Sequence, residues 1–415
     1  MRVLDNMVDP TSFDYSSQTK FFRREDVYYL FYTDNSDGVS LYMKQAKSIS
    51  GLAAATPTRI LTNTESILGY YYDVKYNPAT DLVGVLWRFL YPATTDLSFV
   101  YGSFQSNGNI TWSIQHNLNA APFGLGSFGG ISLGYSTSGR WGVSFIWGQD
   151  ANNVFYTCGR TEPTQTAHWV NRGRFRGGGI STFNPWVVSG LGADSNHNFI
   201  IIGQRGVATE LQSYSWDGAA FTFANLNAGD PHNPFATPIV DSNGDVHALC
   251  REDFGFAGGG TPVWHYIYDT SAGTWSGTEI IAVPNTVTGY AIGVAKDDDN
   301  DDMYLVFNYN DGVDSLRFYK YVDGTWHNLT DRLSTLDIAN NYTDITSIVV
   351  TESGSPTSGG SDTVVAWTDI TGAANELWMV EIRDLIADFT ASPLRGNVPL
   401  RVEFTDTSQS IDTEI

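Results

Sequence analysis

Seven stretches of this chain can be laid over one another. They read "VYYLFYTD" (27–34), "LVGVLWRF" (82–89), "RWGVSFIWG" (140–148), "NFIIIGQR" (198–205), "DVHALCRE" (245–252), "DMYLVFNY" (302–309) and "DTVVAWTD" (362–369). They recur at intervals of roughly 50 to 60 residues, the period of architectures in which each copy buries its faces against its neighbours. This recurrence constrains the fold more than any other feature. A single hydrophobic core stops growing well below the 415 residues present, whereas a repeat core grows by addition. Nearly continuous apolar runs of this length suit strands buried on both faces.

Each run sits in a constant context. Polar hairpins precede it ("NPATD", "STSGR", "DSNHN", "DSNGD", "DDDNDD", "ESGSPTSGGSD"), where Asn, Asp and Gly supply the backbone angles that tight hairpins need. First strands lie ahead of the hairpins, as in "GYYYDVKY", "GGISLGYS" and "GYAIGVAK", and third strands follow, as in "VSLYMKQA", "NVFYTCGR" and "SLRFYKYV". Fourth strands open with an aromatic residue just after a turn ("YSWDGAAF", "YDTSAGTW", "YKYVDGTW", "SNGNITW"), placed to pack between neighbouring sheets. With 41 glycines and 14% aromatic residues, the chain reads as all-β, a seven-bladed β-propeller over residues 1–385. The seventh copy lacks a fourth strand. The amino-terminal "MRVLDNMV" is expected to supply it, closing the ring and removing a sheet edge.

Several segments resemble known families. "QSNGNITW" resembles a degenerate aspartate box, the hairpin motif of sialidase-like repeats, with Gln105 and Asn107 in place of its usual Ser and Asp. "HNPFATPIVDSNGDVHALCRE" (232–252) is similar to the central segment of sialidase-like repeat families that include polysaccharide lyases, and "VYYLFYTDNSDGVSLYMKQAKSISG" resembles blades of furanosidase-type glycosidases. The closing "ADFTASPLRGNVPLRVEFTDTSQS" resembles the start of the PKD domain family, matching at Ala387, Asp388, Phe389, Ser392, Pro393, Gly396, Pro399 and Phe404-Thr405-Asp406. That resemblance implies that residues 386–415 are the first strands of an immunoglobulin-like sandwich used as a spacer or adhesive unit, exposed outside the cell or on a surface. Two strands bury no core alone, so this segment is expected to be completed by further chain or by a partner.

A formal charge of −22 argues against nonspecific binding of nucleic acid or of anionic membranes, because the summed field repels phosphates. No run approaches the length of a membrane-spanning helix, so membrane insertion is not expected. Cys158 and Cys250 both fall in apolar strand-like runs, where a buried free thiol is the common outcome. The opening "MRVLDNMVDPTSFDYSS" has neither the charged start nor the apolar stretch of a secretory signal. The expected location is extracellular, at a cell surface, or in a virus particle, alone or within a larger assembly.

By analogy with the fold, ligands meet the face carrying the loops that leave each second strand, at the mouth of the central channel. The repeat places Tyr72, Arg205, Asp230, Asp253, Tyr309 and Asp369 on or near that face as ligand-binding candidates. The densest group is His232 with Arg251 and Glu252. A His base with an Arg neutralising a uronate carboxylate is lyase chemistry, and paired carboxylates are glycosidase chemistry. A His before Asn-Pro also caps turns, and Arg251 beside Glu252 also forms a plain surface pair. Asp297, Asp299 and Asp301 alternate along a hairpin with a spacing that can wrap structural Ca²⁺, or can simply form a solvated acidic turn. No other cofactor is expected.

Two functions follow. The first is a noncatalytic structural or recognition protein that presents its loops to a glycan or a surface protein partner. The second is a secreted polysaccharide lyase or glycosidase acting at the channel mouth. The sequence favours the first, because no aspartate box is intact and no catalytic constellation is complete.

Overall fold

In the computed structural model the described residues are 2–5, 20–34, 40–60, 66–90, 95–118, 129–147, 152–176, 185–189, 199–204, 211–226, 232–234, 238–252, 262–281, 292–296, 301–310, 314–330, 345–350, 362–371, 374–383 and short strands between 385 and 410. Each of the seven apolar runs is a strand, and each pairs antiparallel with the strand that follows it. Blade one is Phe21–Arg24, Val27–Asp34, Ser40–Ala46 and Thr58–Arg59; blade two is Ser66–Asn77, Leu82–Leu90 and Thr95–Phe104, with Ile110–Trp112 and His116–Asn117 both pairing to its third strand. Blade three is Gly129–Tyr135, Trp141–Trp147, Asn152–Cys158 and Trp169–Arg176; blade four is Pro185–Val187, Phe199–Gln204, Leu211–Trp216 and Phe221–Leu226. Blade five pairs His232–Pro234 and Ile239–Val240 with Val246–Glu252, followed by Val263–Asp269 and Thr274–Ile281; blade six is Ile292–Lys296, Met303–Asn310, Asp314–Val322 and Thr325–Asn328.

The fold is therefore an all-β propeller with six blades described down to side chains. A further four-stranded sheet, Ile345–Val350, Asp362–Thr371 and Ala374–Arg383 with Arg2–Asp5 as its outer strand, is described by its backbone pairing alone. The sequence pattern leads to seven blades, the last taking its outer strand from the amino terminus; the described packing gives six, and in the further sheet Arg2–Asp5 pairs with Ala374–Arg383. In the closing segment Leu385–Ile386 pairs with Gln409–Ser410 and Phe389–Ser392 with Glu403–Asp406.

First strands of neighbouring blades touch one another, as they must where sheets converge on an axis. Their side chains alternate between the two neighbours. On Ser66–Asn77, Tyr72 and Val74 enter the core shared with blade one, while the Asp73 carboxylate accepts the Leu133 amide of blade three at 2.7 Å. The second strands are buried on both faces, as the unbroken burial from Met303 to Phe307 shows.

The cores lie between blades, and the aromatic residues that open the fourth strands are central to them. Trp112 meets Phe31 edge-on, Trp169 packs on Phe99, Phe221 on Phe155, and Trp275 donates its indole N–H to Ser213 Oγ of blade four at 3.0 Å. Close approach is achieved with glycine. A Cβ built on Gly84 would stand 2.8 Å from the Trp141 ring, and one on Gly142 would stand 2.5 Å from the Phe199 ring. Cys158 and Cys250 are buried free thiols.

Candidate functional site

At the expected channel mouth the backbone brings the densest candidates together. His232 stands directly opposite Glu252 in the antiparallel register, and Arg251 stands opposite Asn233, one position along. Tyr309 is opposite Ser315, and Asp369 is opposite Ile345 and Glu376 on its two sides. Arg205, Asp230, Asp253, Asp297 and Asp299 lie outside the described residues.

Two candidates have other roles. Tyr72 is fully buried; its hydroxyl donates to the Phe31 carbonyl at 3.0 Å, and the Lys20 ammonium lies 4.4 Å from its ring centre. It points into the core between blades one and two because strand alternation turns it there, so it ties blades rather than facing a ligand. Asp301 adopts a left-handed backbone (φ 62). Its carboxylate accepts the Ser242 amide of blade five at 3.0 and 3.1 Å and the Lys296 ammonium at 3.2 Å. Those donors occupy its oxygens and fix one hairpin to the next. No group of three or more His, Cys, Asp or Glu among the described residues is placed to hold a metal.

The opposite face, where first-to-second and third-to-fourth hairpins emerge, carries a cleft of 430 Å³ between blades one and two. This is within the usual size range of small-ligand sites. One wall is the hairpin Arg24-Glu25-Asp26-Val27 with Lys47; the other is the hairpin Phe104-Gln105-Ser106-Asn107-Gly108, the segment that resembles an aspartate box. Each wall is held in place. The Asn107 carboxamide oxygen accepts the Asn109 amide at 2.9 Å and Gly108 takes φ 82, which closes the turn. The Tyr29 hydroxyl donates to the Gly108 carbonyl at 2.8 Å across the blade boundary.

The floor is an ion pair on an aromatic ring. Arg24 donates to both oxygens of Asp81, at 2.5 and 2.8 Å, and its guanidinium lies 4.5 Å from the Phe104 ring centre. Tyr76 donates to Asp81 at 3.1 Å. The Arg24 hydrogen bond holds the Asp81 carboxyl below the usual range, and burial pushes the Tyr76 phenol up to about 12. The remaining charges pair as well, Arg24 with Glu25 at 3.3 Å and Lys47 with Asp26 at 2.5 Å. With Asp81 beneath Arg24 the site holds two cations and three anions, each with an ion-pair partner, and the lining adds the exposed amide of Gln105 and hydroxyl of Ser106. Such a surface can hydrogen-bond a neutral polar ligand without selecting for net charge. In the sequence, "FRRED" followed some 80 residues later by "FQSNGN" holds most of these groups, leaving out Tyr29, Lys47, Tyr76 and Asp81; nothing in the sequence says that the two hairpins meet.

No protein-family model matches the chain, and no curated protein matches it. Solved structures do. A polysaccharide lyase of family PL25, an ulvan lyase bound to -[GlcA(1-4)Rha3S]-, aligns over 92% of this chain and 95% of its own, with TM-score 0.54 and 12% identity. AofleA from Arthrobotrys oligospora aligns over 79% of this chain and 90% of its own, with TM-score 0.51 and 13% identity. At these identities the likeness establishes the propeller fold.

Proposed function

We propose that this protein is a noncatalytic carbohydrate-recognition propeller, and that the cleft between blades one and two takes a short, neutral segment of a glycan. The observation that carries this reading is the pairing of charges in the cleft: each ion has a partner, the Arg24 guanidinium covers the Phe104 ring, and the groups left open are an amide and a hydroxyl. Sugars are recognised by such planar floors and neutral hydrogen-bonding groups. A carbohydrate partner also accords with the fold shared with the ulvan lyase. In this reading the protein works outside the cell, at a cell surface or on a virus particle. The sheet built from the two chain ends completes the ring as a seventh blade, and the closing segment begins a PKD-like spacer.

The test is a glycan array followed by calorimetry of the ligands it finds. Gln105→Ala and Ser106→Ala together are expected to weaken binding at least tenfold while leaving thermal unfolding unchanged. Undiminished binding by that double variant, or no binding across neutral and acidic glycans, overturns the assignment.

A second reading has one specific observation in its favour, the direct opposition of His232 and Glu252 in the strand register. It is a lyase or glycosidase acting at the channel mouth. Ultraviolet-monitored cleavage of acidic polysaccharides, abolished in His232→Ala, would establish it in place of the first.

A further inference from the structure

The boundary between blades five and six contains a buried chain of hydrogen bonds whose proton positions can be deduced. Trp326, on the fourth strand of blade six, directs its indole nitrogen at His265 Nδ1 at 3.2 Å. An indole N–H can only donate, so His265 Nδ1 is bare and the proton of that ring sits on Nε2. His265 Nε2 lies 2.7 Å from His247 Nδ1, which must therefore accept. The His247 proton is then on Nε2, 3.4 Å from Asp241 Oδ2. The order is Trp326 to His265 to His247 to Asp241, with one proton in each of three links.

This chain has room for no fourth proton. A proton added to His247 Nδ1 would face the Nε2–H of His265, and passing it along only moves the conflict to His265 Nδ1, against the Trp326 N–H. The surroundings offer little relief. Both imidazoles are about 5% exposed, their rings lie edge to edge within 24° of coplanar, and Tyr321 of blade six meets both edge-on. The carboxylates on this side, Asp241 and Asp245 of the blade-five hairpin and Asp301 of blade six, act on His247. Asp301 is shared with Lys296 and the Ser242 amide, and Asp241 with the amides of Asn243 and Asp245. Protonated His247 would gain from these carboxylates; protonated His265 would face only its partner ring, Trp326 and Tyr321.

We propose that this chain makes the boundary between blades five and six an acid-sensitive seam, closed while both imidazoles are neutral and released when His265 takes up a proton. The boundary between blades four and five shows what is particular here. There the corresponding tryptophan, Trp275, donates to Ser213, an acceptor that does not titrate. Burial lowers the affinity of both histidines for protons, taking His265 to about 3. Closed and opened seams both leave the rings neutral above the ordinary histidine pKa near 6.5. Below it the opened form binds protons that the closed form refuses, until the pH falls to the closed-state value. Between those limits the opening equilibrium rises by up to about tenfold per pH unit for each histidine.

Hydrogen exchange read by mass spectrometry on the full chain, from pH 7 to pH 4, tests this. The strands Val263–Asp269 and Thr325–Asn328 are expected to lose protection with falling pH, relative to the boundary carrying Trp275 and Ser213 in the same molecule. His265→Gln, which can accept from Trp326 without titrating, is expected to reduce that difference, and His247→Gln added to it to abolish it. Equal pH dependence at the two boundaries, or a difference undiminished in His265→Gln, overturns the proposal. Should the variant not fold, ¹⁵N imidazole shifts of the wild-type protein decide it. Both rings should be neutral with Nε2–H at pH 6, and an imidazolium in either at that pH refutes the seam.

Discussion

Alanine in place of Gly142 should destabilise the propeller, although alanine is the better residue for a strand. Relieving the unfolded chain of glycine's freedom favours alanine by about 0.5–1 kcal/mol. Against this stands the Phe199 ring of blade four. A Cβ on Gly142 would lie 2.5 Å from its Cε1 and 2.8 Å from Cδ1 and Cζ. Carbon atoms rest about 3.5–4.0 Å apart, so the ring would have to retreat by about 1 Å. It has nowhere to go: Phe199 is 1% exposed and packs edge-on against Phe155 with centroids 5.3 Å apart. Overpacking of this kind costs about 1–3 kcal/mol, which, after the gain of about 0.5–1 kcal/mol, leaves a net loss of up to about 2.5 kcal/mol. Urea unfolding followed by tryptophan fluorescence should show a lower midpoint for Gly142→Ala. In a Phe199→Leu background, where the offending ring edge is gone, the same substitution should be neutral or stabilising. A stabilised Gly142→Ala, or one whose cost is unchanged by Phe199→Leu, would show that blade spacing is not set by this contact.

Three further outcomes follow from named contacts. Trp275→Phe keeps the aromatic plug but loses the hydrogen bond to Ser213, and should cost about 0.5–1.5 kcal/mol in urea unfolding. Ser213→Ala in that background should add little. The Asp81 carboxyl is held low by Arg24, so its contribution is present above the unfolded carboxylate pKa near 3.9 and fades as the pH falls below it. Because Asp81 is half exposed, that contribution is at most about 1 kcal/mol, and Asp81→Asn should remove this part of the acid dependence of stability between about pH 4 and pH 2. Burial pushes the Cys158 thiol up to about 11 and raises Cys250 further. A thiol reagent at pH 8 should therefore label neither cysteine in the folded protein and both in urea.

What the sequence disclosed is what repeats. The apolar second strands and the turn-following aromatics are legible because every blade imposes the same demand, a strand buried on both faces and a plug for the next gap. Tyr72 is buried for a related reason. It lies within the first strand Ser66–Asn77, where each face of the sheet packs against a neighbouring blade, and the repeat alone does not say how far the strand runs beyond it toward the rim. The partners of Asp301, Ser242 and Lys296, were not legible because they include a backbone amide from another blade's hairpin, and no spacing within "KDDDNDDMY" encodes that approach.

The cleft and the seam were illegible on the same ground, and this bears on where function should be sought in a repeat fold. A blade's own sheet tolerates little variation, since its hydrogen-bond ladder and buried faces are common to all copies. The surfaces between blades need only be filled, and different side chains fill them: Ser213 or His265 can take the indole of the neighbouring tryptophan, and Gly142 or Gly84 can admit a ring. Chemistry can therefore differ from one boundary to the next at no cost to the architecture. In this chain the paired charges of Arg24, Glu25, Asp26, Lys47 and Asp81 occupy one boundary, and the histidine relay occupies another four blades away. Each is assembled from residues roughly 20 to 80 positions apart, the reach of neighbouring blades when the repeat is 50 to 60 residues long. Residues that break the repeat and lie one period apart are accordingly the places to look for what distinguishes this propeller from others of its fold.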